Sequence, residues 1–440
     1  MKIINKFLYF LFFTNVFLLC FSASVYIASA DEQVSSNEIY PYLQNVTTNS
    51  IEVSWNSRSQ NQGSVLYGST MSYGMSAQET SKPVSVVEVS SYTHKVILIG
   101  LLSNSVYHFQ IVDKSGFISA DSTFKTAPVY GTPFSFLVFG DIAGNNDNPT
   151  SAFYTTAANE AEEMVLHNPK TIAIMTGDQQ EDSKDTSWQP EYFLSERNIL
   201  KNTVIYNVLG NHDAAGIETF DKYFDPPVSS NSAGSSTKTY YSFNYGDVHF
   251  VILDGNQSRA VGSEQYKWLV ADMASTNAQK ADWRIIFTHQ PGLSYGGNHG
   301  LGDDNGFMNA ISALDTAPGV NKNADLIIMG HNHVYERAYR PEGEKRGITW
   351  ITDGTVGGTP GTPPLSGEYL QYAGPQGYGY IVITASHKNI SGTYYYTGDT
   401  GDAGVTPIVK DEFIIPIFHG NNQPNFWDRV VNFLKDLVKL

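Results

Sequence analysis

Six side chains that can bind a metal ion follow directly on apolar, strand-like segments of this sequence. Four of these segments end in glycine before the polar residue, and a fifth ends without one. The residues are Asp141 after residues 134–140, Asp178 after 171–177, Asn211 after 203–210, His289 after 283–288, and His331 and His333 after 324–330. Buried strands that end in such groups place them around one rim of a sheet. Two carboxylates, one amide and three imidazoles there suit a pair of cations that share an oxygen.

The segments between these residues predict the elements that position them. From Phe134 onward, near-continuous apolar strands alternate with helical spacing, which indicates sheets covered by helices. Helices are predicted at residues 151–167, about 188–200, 263–275 and 306–314, and a hairpin at 240–254 with its turn at 245–247. Residues 347–398, rich in β-branched and aromatic residues, are predicted to complete a second sheet.

The region before these strands has a different pattern. Residues 38–128 consist of short alternating segments separated by glycines, which predicts a small antiparallel β-sandwich. Residues 101–107 resemble the tyrosine-corner stretch of fibronectin type III modules, with Tyr107 as the tyrosine. Residues 126–133, which contain Pro128 and Pro133, are expected to form a linker to the second domain.

The ordered set of strand-end ligands resembles that of the calcineurin-like metallophosphoesterases. Its most specific parts are residues 210–213, which read GNHD, and residues 330–337, which read GHNHVYER. Together with the N-terminal sandwich, the second motif is similar to that of the purple acid phosphatase branch, and the similarity runs from Tyr40 to at least His387. The resemblance implies an α/β (α+β) fold, a four-layer sandwich of two mixed sheets flanked by helices, over residues 134–410. An all-β fibronectin type III-like sandwich would precede it.

The resemblance also implies a role for each strand-end residue. Asp178 would bridge two metal ions, Asp141 and His333 would complete the first site, and Asn211, His289 and His331 would complete the second. The ions would be two of Fe, Mn, Zn, Mg or Ca. A hydroxide shared by the two ions would attack phosphorus in line with the leaving oxygen.

Three further residues near the motifs are candidates for catalysis. His212 directly follows a ligand, so we expect it to stabilise the transition state and to protonate the leaving group. Asp213 either orients His212 or serves as an exposed capping residue. His299, in a glycine-rich loop ten residues after His289, has the position of a substrate-facing histidine in the resembled family. The remaining histidines are expected to be structural or superficial: His94, His108, His167, His249, His387 and His419.

At two positions the sequence departs from the family that it resembles. Purple acid phosphatases have a tyrosine bound to ferric iron three residues after the bridging aspartate, and Glu181 stands at that position here. The wider superfamily has a histidine two residues after the first aspartate, where this chain has Ala143. Either Glu181 supplies an oxygen ligand or water fills the gap. An oxygen-rich site favours Mn, Mg, Ca or Fe over Zn, and we expect a colourless protein.

The ends of the chain and its composition indicate an exported protein. A signal peptide is predicted over residues 1–30. It has a basic start at Lys2 and Lys6, an apolar stretch over residues 7–27 and small residues at 28–30. A membrane anchor is the alternative, and otherwise no integral span is expected. Cys20, the single cysteine, lies in that segment, which favours a bacterial source and a secreted or periplasmic location. Residues 425–440 predict an amphipathic helix that docks on the catalytic domain, or that attaches to a membrane or a partner.

The sequence leaves several interpretations of function open. The first is a secreted phosphatase that acts on phosphomonoesters, which are small-molecule substrates. The second is a phosphodiesterase or nucleotidase of the same superfamily, and the third is a metal-poor pseudoenzyme or surface-binding protein. A formal net charge of −16 over 440 residues disfavours binding to a nucleic acid backbone. The oligomeric state is not indicated by the sequence.

Overall fold

A computed structural model describes ten stretches of the chain. They are residues 41–86, 90–114, 117–143, 172–182, 188–227, 238–297, 299, 305–342, 345–399 and 406–417. The described residues belong to one compact unit, Ile39–Leu440. The signal peptide, the helix over 151–167, the C-terminal helix, His167 and His419 lie outside the described residues. Among the described residues, no helix is long and apolar enough to cross a bilayer.

Two mixed sheets form the frame of the protein, which confirms the predicted fold class. In the larger sheet the strands follow the order β21-β20-β19-β9-β10-β11-β1-β2-β6-β5. Their bounds are β1 Pro41–Gln44, β2 Ser50–Ser57, β5 Val84–Val86, β6 Ser91–Ile99, β9 Phe134–Phe139, β10 Ile172–Met175, β11 Val204–Asn207, β19 Tyr378–Ala385, β20 Asn389–Gly398 and β21 Ile408–Pro416. Strands β9, β10 and β11 are parallel, and β19 joins β9 in antiparallel orientation.

The second mixed sheet has the order β12-β13-β14-β15-β17-β16-β18. Its strands are β12 Tyr241–Tyr245, β13 Val248–Ile252, β14 Trp283–Thr288, β15 Leu326–Met329, β16 Tyr335–Glu342, β17 Lys345–Asp353 and β18 Leu370–Ala373. Strands β13, β14, β15 and β17 are parallel. Strands β12 and β13 form the predicted hairpin, with Gly246 in its turn at a φ of 54°.

Alternate residues of the central strands pack into different cores, which explains why these strands are almost entirely apolar. Phe136 and Val138 of β9 face the core between the two sheets, whereas Leu137 and Phe139 face helices on the outer side. A third core lies on the outer face of the second sheet, where Trp268 and Phe307, both on helices, pack against that sheet. Two sheets with helices on both outer faces give four layers.

The helices are short. They are α1 Arg197–Leu200, α2 Asn211–Ala214, α3 Ile217–Tyr223, α4 Glu264–Met273, α5 Thr276–Lys280 and α6 Asn305–Ala313, with a π-helical turn at Trp188–Leu194 and a 3₁₀ turn at Leu314–Thr316. The π-helical turn, α4 and α6 begin close to predicted helix starts, whereas α2, α3 and α5 are not among the predicted helices. The hydroxyl of Ser263 accepts a hydrogen bond from the Tyr266 N–H, so this serine caps α4 as the sequence pattern indicates.

The N-terminal strands form a β-sandwich whose two sheets differ in their surroundings. One sheet, in the order β4-β3-β7-β8, consists of β3 Ser64–Gly68, β4 Met75–Gln78, β7 Val106–Val112 and β8 Ser122–Lys125. The other sheet continues into the larger mixed sheet, because β1 pairs in parallel with β11 at Leu43 and Val204. The Tyr107 hydroxyl accepts a hydrogen bond from the Leu102 N–H at 2.9 Å, as in a tyrosine corner.

The prediction that residues 347–398 complete a single second sheet is wrong. Strands β17 and β18 belong to the seven-stranded sheet, but β19 and β20 belong to the ten-stranded one. Strand β19 pairs with β9, and Val138 lies opposite Ile381. Alternation identifies a strand, but it carries no information on a partner that lies far away in the sequence.

A buried glutamate between the π-helical turn and α1 makes stability depend on pH. Glu196 is 1% exposed, and burial raises the pKa of its carboxyl group to about 8. The ordinary pKa of a glutamate, near 4.5, applies to the unfolded chain. At pH values between about 4.5 and 8, Glu196 therefore keeps its proton in the folded protein but loses it on unfolding. The free energy of unfolding should therefore fall as pH rises through this window.

We expect the substitution Glu196→Gln to remove that pH dependence. The variant should melt roughly 2 °C or more above the wild type at pH 9, and close to it at pH 5. Thermal melts between pH 5 and 9 measure the difference. Glu264→Gln, at an exposed position on α4, is the matched control. Parallel melting curves for wild type and Glu196→Gln across this range would show that the prediction is wrong.

Candidate metal centre

The strand-end residues meet at one edge of the two sheets, as the sequence predicts. Asp141 follows β9, Asp178 follows β10, and His331 follows β15, and all three are non-glycine residues with positive φ, at 59°, 53° and 70°. Such conformations cost free energy and recur at functional sites. Each of the three strands therefore turns sharply at its end, and all three turns carry a proposed ligand.

Glycines precede these residues because side chains of the site occupy the neighbouring space. At Gly177, φ is 108°, and an added Cβ would lie 2.4 Å from His289 Nδ1. At Gly210, an added Cβ would lie 2.0 Å from Asp178 Oδ1. The pattern of a strand followed by glycine and a ligand is therefore a packing requirement of the site itself.

The substitution Gly177→Ala tests this requirement. We expect a loss of about 1–3 kcal/mol in the free energy of unfolding from the backbone alone, together with weaker metal binding because His289 must move. Gly262→Ala is the matched control, since Gly262 has a φ of 88° but open space around it. Urea denaturation and metal analysis measure both effects. Equal metal content in the two variants would contradict the packing argument.

Four of the predicted ligands lie close together, with the Nε2 atom of His289 near the other three. His289 Nε2 lies 3.2 Å from Asp178 Oδ2, 3.0 Å from Asn211 Oδ1 and 3.3 Å from His331 Nδ1. Ligand atoms about 2.0–2.2 Å from a common cation are themselves roughly 3.0–3.5 Å apart. These residues therefore fit a cation, and Asp178, His289 and His331 form a cluster that could hold one.

Asp141 and His333 lie beside this cluster. His333 Nε2 is 3.6 Å from Asp141 Oδ1, and both oxygens of Asp141 accept the N–H of His331, at 2.9 and 3.1 Å. The backbone N–H groups of Gly357 and Gly358 both donate to the Asp141 carbonyl at 2.9 Å. The structure therefore brings together all six strand-end residues that the sequence predicts as ligands.

Backbone carbonyl groups orient two of the histidines, a feature that the sequence does not predict. His289 Nδ1 lies 2.8 Å from the Thr176 carbonyl oxygen, and His333 Nδ1 lies 3.0 Å from that of Thr359. A ring that donates Nδ1–H to a carbonyl keeps the lone pair of Nε2 for a metal. The sequence offers one indirect signal, the cluster of glycines at 354–361 around Thr359, which indicates a close approach of the backbone but does not identify its partner.

Burial and neighbouring charges shift the pKa values of the proposed ligands. Burial alone would raise the pKa of Asp178, but His289 and His212 outweigh it and lower that pKa to about 2. Burial is the main cause that lowers the pKa of His331 to about 3 and of His333 to about 4. These shifts leave His331 and His333 neutral and Asp178 ionised, as metal ligands need to be. The shifts at two other proposed ligands run the opposite way. Burial would lower the pKa of His289, but the carboxylates of Asp178 and Asp141 outweigh it and raise that pKa to about 9, and burial raises the pKa of Asp141 well above its usual value.

His212 lies at the edge of the cluster, and the nitrogen of its ring that faces away from the cluster contacts a backbone carbonyl group. Its Nδ1 is 2.6 Å from the Glu181 carbonyl oxygen, and its Nε2 is 3.9 Å from Asp178 Oδ2. Glu181 Oε1 lies 3.9 Å from His212 Nδ1, so the structure places the Glu181 carboxylate beside the candidate acid. The side-chain amide of Gln180 donates to the His212 carbonyl at 2.9 Å.

Asp213 and His299 take different positions at the site. Asp213 is buried, not exposed, and its carboxylate accepts the N–H groups of Asp178, Gln179 and Gly210. It holds together the two loops that carry Asp178 and Asn211. The exposed ring of His299 stacks on His331 with 4.5 Å between centroids, so the structure brings His299 to the rim of the cluster.

Two family models match the chain. Residues 134–335 match the calcineurin-like phosphoesterase family, and residues 37–126 match the purple acid phosphatase N-terminal domain. The matched regions contain the central strands of the fold and all six strand-end ligands. Together, fold and matches define the class of this protein as a calcineurin-like phosphoesterase.

The chain is also similar to individual purple acid phosphatases. It is 28% identical to purple acid phosphatase 15 of Arabidopsis thaliana over 276 residues, covering 57% of this chain and 50% of that protein. With Fe(3+)-Zn(2+) purple acid phosphatase 12 of the same plant it shares 24% identity over 264 residues, covering 57% and 53%. The solved structure of purple acid phosphatase PPD1 from yellow lupin seeds has a TM-score of 0.68 at 19% identity, covering 90% of this chain and 76% of that one. The chain spans about half the length of the two Arabidopsis relatives. It contains a calcineurin-like phosphoesterase domain and a purple acid phosphatase N-terminal domain.

Proposed function

We propose that this protein is an exported, metal-dependent phosphatase that hydrolyses small phosphate monoesters. The convergence of Asp178, Asn211, His289 and His331 on one centre carries the proposal. Asp141 and His333 extend that centre to a second position, and His212 and His299 lie at its rim. Monoesters are preferred over diesters in the proposal because two rim histidines can contact a terminal phosphate and its leaving group.

The residues present suit two cations, with Asp178 shared between them. When bound, the cations would supply a strong nucleophile from water at neutral pH and would neutralise charge on the phosphoryl oxygens. Harder ions such as Fe, Mn, Mg or Ca fit the oxygen-rich first position, where Asp141 is a ligand and no aromatic ring follows Asp178 in the expected place. The name of one relative includes Fe(3+) and Zn(2+), so iron is the first metal to test.

The residues of this chain have separate tasks in the proposed reaction. His212 donates Nδ1–H to the Glu181 carbonyl, so its Nε2 faces the centre, from which it can give a proton to the departing oxygen. Asp213 keeps the Asp178 and Asn211 loops in register, and it acts as a positioning residue. His299, which lies 5.2 Å from the His333 ring between centroids, is suited to contact the substrate.

Reconstitution of apo-protein tests the proposed function. The chain is loaded in turn with Fe, Mn, Zn, Mg and Ca, and hydrolysis of p-nitrophenyl phosphate and of its bis-ester is measured across pH. We expect phosphate release from the monoester to exceed release from the diester by at least about tenfold. Faster diester hydrolysis would support the phosphodiesterase interpretation. Fewer than one metal ion per chain and no phosphate release would support the inert one.

The colour of the iron-loaded protein is a separate prediction. Because Glu181 stands where the resembled family has its iron-bound tyrosine, no tyrosinate ligand is available at that position. We expect no visible charge-transfer band, a result that absorption spectroscopy of the iron-loaded chain would establish. Loading with zinc provides the baseline. A visible band present with iron and absent with zinc would mean that another tyrosine reaches the metal.

We further propose that residues 1–30 are removed on export and that residues 38–128 and 134–410 act as two domains in one rigid enzyme. The tyrosine corner at Tyr107 supports the first of these domains, and the pairing of β1 with β11 supports a fixed junction. N-terminal sequencing of protein recovered from the culture medium or periplasm should begin at Asp31. A first residue of Met1 would exclude cleavage.

A further inference from the structure

A second cavity lies between the N-terminal sandwich and the catalytic domain, apart from the metal centre. Its volume is about 560 Å³, within the range of about 300–1,000 Å³ that is typical of ligand sites. It is lined by strands β2 and β6 of the sandwich, by the β12–β13 hairpin and by residues 225–227. Tyr206 and His249 line it from the central strands, whereas the metal ligands follow the ends of such strands. None of the six strand-end ligands is part of its lining.

Amide and hydroxyl groups are prominent in the lining of this cavity. Asn45, Thr47, Ser50, Asn244 and Asn277 all contribute to the wall. The Asn45 amide donates to the Asp225 carbonyl at 2.6 Å, but its buried Oδ1 has no hydrogen-bond partner among the described residues. A buried acceptor without a partner costs free energy that a bound donor would recover.

The charges around the cavity disfavour an anionic ligand. Glu52, Asp225 and Asp272 line it, whereas Lys95 is the one lysine among the described lining residues and is already paired with Asp225. Lys238 also binds Asp225, at 2.8 Å. A phosphate, sulfate or carboxylate placed there would face carboxylates whose nearby lysines are already engaged. A cationic ligand gains little either, because Asp225 is engaged by Lys95 and Lys238 and Asp272 by His249. A neutral ligand, different from the substrate of the metal centre, therefore fits best.

Apolar groups complete the wall of the cavity, so its lining is partly polar and partly apolar. Ile97 is 59% exposed at the mouth, and Pro226 and Pro227 are also part of the lining. The ring of Phe243 stacks on Tyr206 with 3.9 Å between centroids and on Phe250 with 4.9 Å, so at most its edge can face a ligand. A ligand that fits must combine apolar C–H surface with many hydroxyl groups.

We propose that this cavity binds a neutral saccharide of one or two sugar rings. A sugar supplies hydroxyl donors for Asn45 Oδ1 and for the other amide and hydroxyl groups, and its C–H faces suit Ile97 and Pro226. Neutral sugars lack the charge that the carboxylates would repel. Such a site would attach the phosphatase to glycans, or would place it near glycosylated substrates, while its metal centre works independently.

A glycan microarray of neutral oligosaccharides and their sialylated and sulfated forms tests the proposal with the full-length protein. We expect neutral glycans to bind, and their anionic forms to bind at least about tenfold more weakly. The best free disaccharide is then titrated by calorimetry, where a dissociation constant of about 1 mM or tighter is expected. Competition by that disaccharide on the array distinguishes recognition of a glycan end from recognition of an extended chain.

Two exposed isoleucines on the same face of β6 provide matched variants. Ile97 lines the cavity, whereas Ile99, two residues further along and 71% exposed, is not part of the lining. Ile97→Asp should weaken saccharide binding at least about tenfold, and Ile99→Asp should leave it within about twofold. Phosphatase turnover should be unchanged in both. The proposal is overturned if no neutral glycan binds, if anionic glycans bind better, or if both variants bind as the wild type does.

Discussion

Replacing Asp178 by asparagine is expected to lower phosphatase turnover by roughly 10³-fold or more. Asparagine preserves the shape of the side chain but removes its negative charge, which is buried and stabilised by His289 and His212. Asp178 is also the one carboxylate that both proposed cation positions would share. The variant should therefore lose at least one metal ion per chain, as measured by mass spectrometry of the purified protein alongside the p-nitrophenyl phosphate assay.

The control for this substitution must change a carboxylate without touching the centre. Asp221→Asn serves, because Asp221 lies on the exposed side of α3. The fold of Asp178→Asn is checked by circular dichroism and by its melting temperature. If that variant keeps its full metal content and its turnover within about tenfold of the wild type, Asp178 is not a shared ligand.

The sequence predicts the site better than it predicts the sheets. Ligands that follow buried parallel strands must lie at the same edge, so the residue pattern alone groups Asp141, Asp178, Asn211 and His331. The order of strands in the sheet is a different problem. The pairing of β19 with β9 depends on contacts between segments far apart in the chain, and local alternation does not encode it.

The conformation of the strand ends is also beyond the sequence. Aspartate and histidine are among the non-glycine residues that adopt a left-handed backbone most often, so the residue types of Asp141, Asp178 and His331 permit this conformation but do not specify it. The structure supplies the reason. The Asp141 carboxylate accepts the N–H of His331, and Asp178 Oδ1 accepts the N–H of His212. Each of these two aspartates therefore fixes the backbone of a different strand-end segment of the site.

The surroundings of Asp213 show why the sequence leaves the role of this residue open. A sequence motif of the form GNHD places an acid beside the candidate catalytic histidine, and this suggests that the acid orients the ring. Three backbone N–H groups instead converge on the buried Asp213 carboxylate. The carbonyl of Glu181 is the group that contacts His212 Nδ1. Backbone partners of this kind carry no side-chain signature, so sequence reasoning does not detect them.

The second large effect is expected for His212→Ala, which should lower turnover by roughly 10²–10⁴-fold while metal content stays intact. If His212 protonates the departing oxygen, the loss should be greatest for alkyl phosphates, whose leaving group needs a proton, and smaller for p-nitrophenyl phosphate, whose leaving group departs as an anion. Steady-state kinetics with both substrates measures this difference. His387→Ala, which removes an exposed histidine bonded to Asp282, is the control. An equal loss with both substrates would assign His212 to transition-state charge stabilisation alone, and unchanged turnover would remove it from the mechanism.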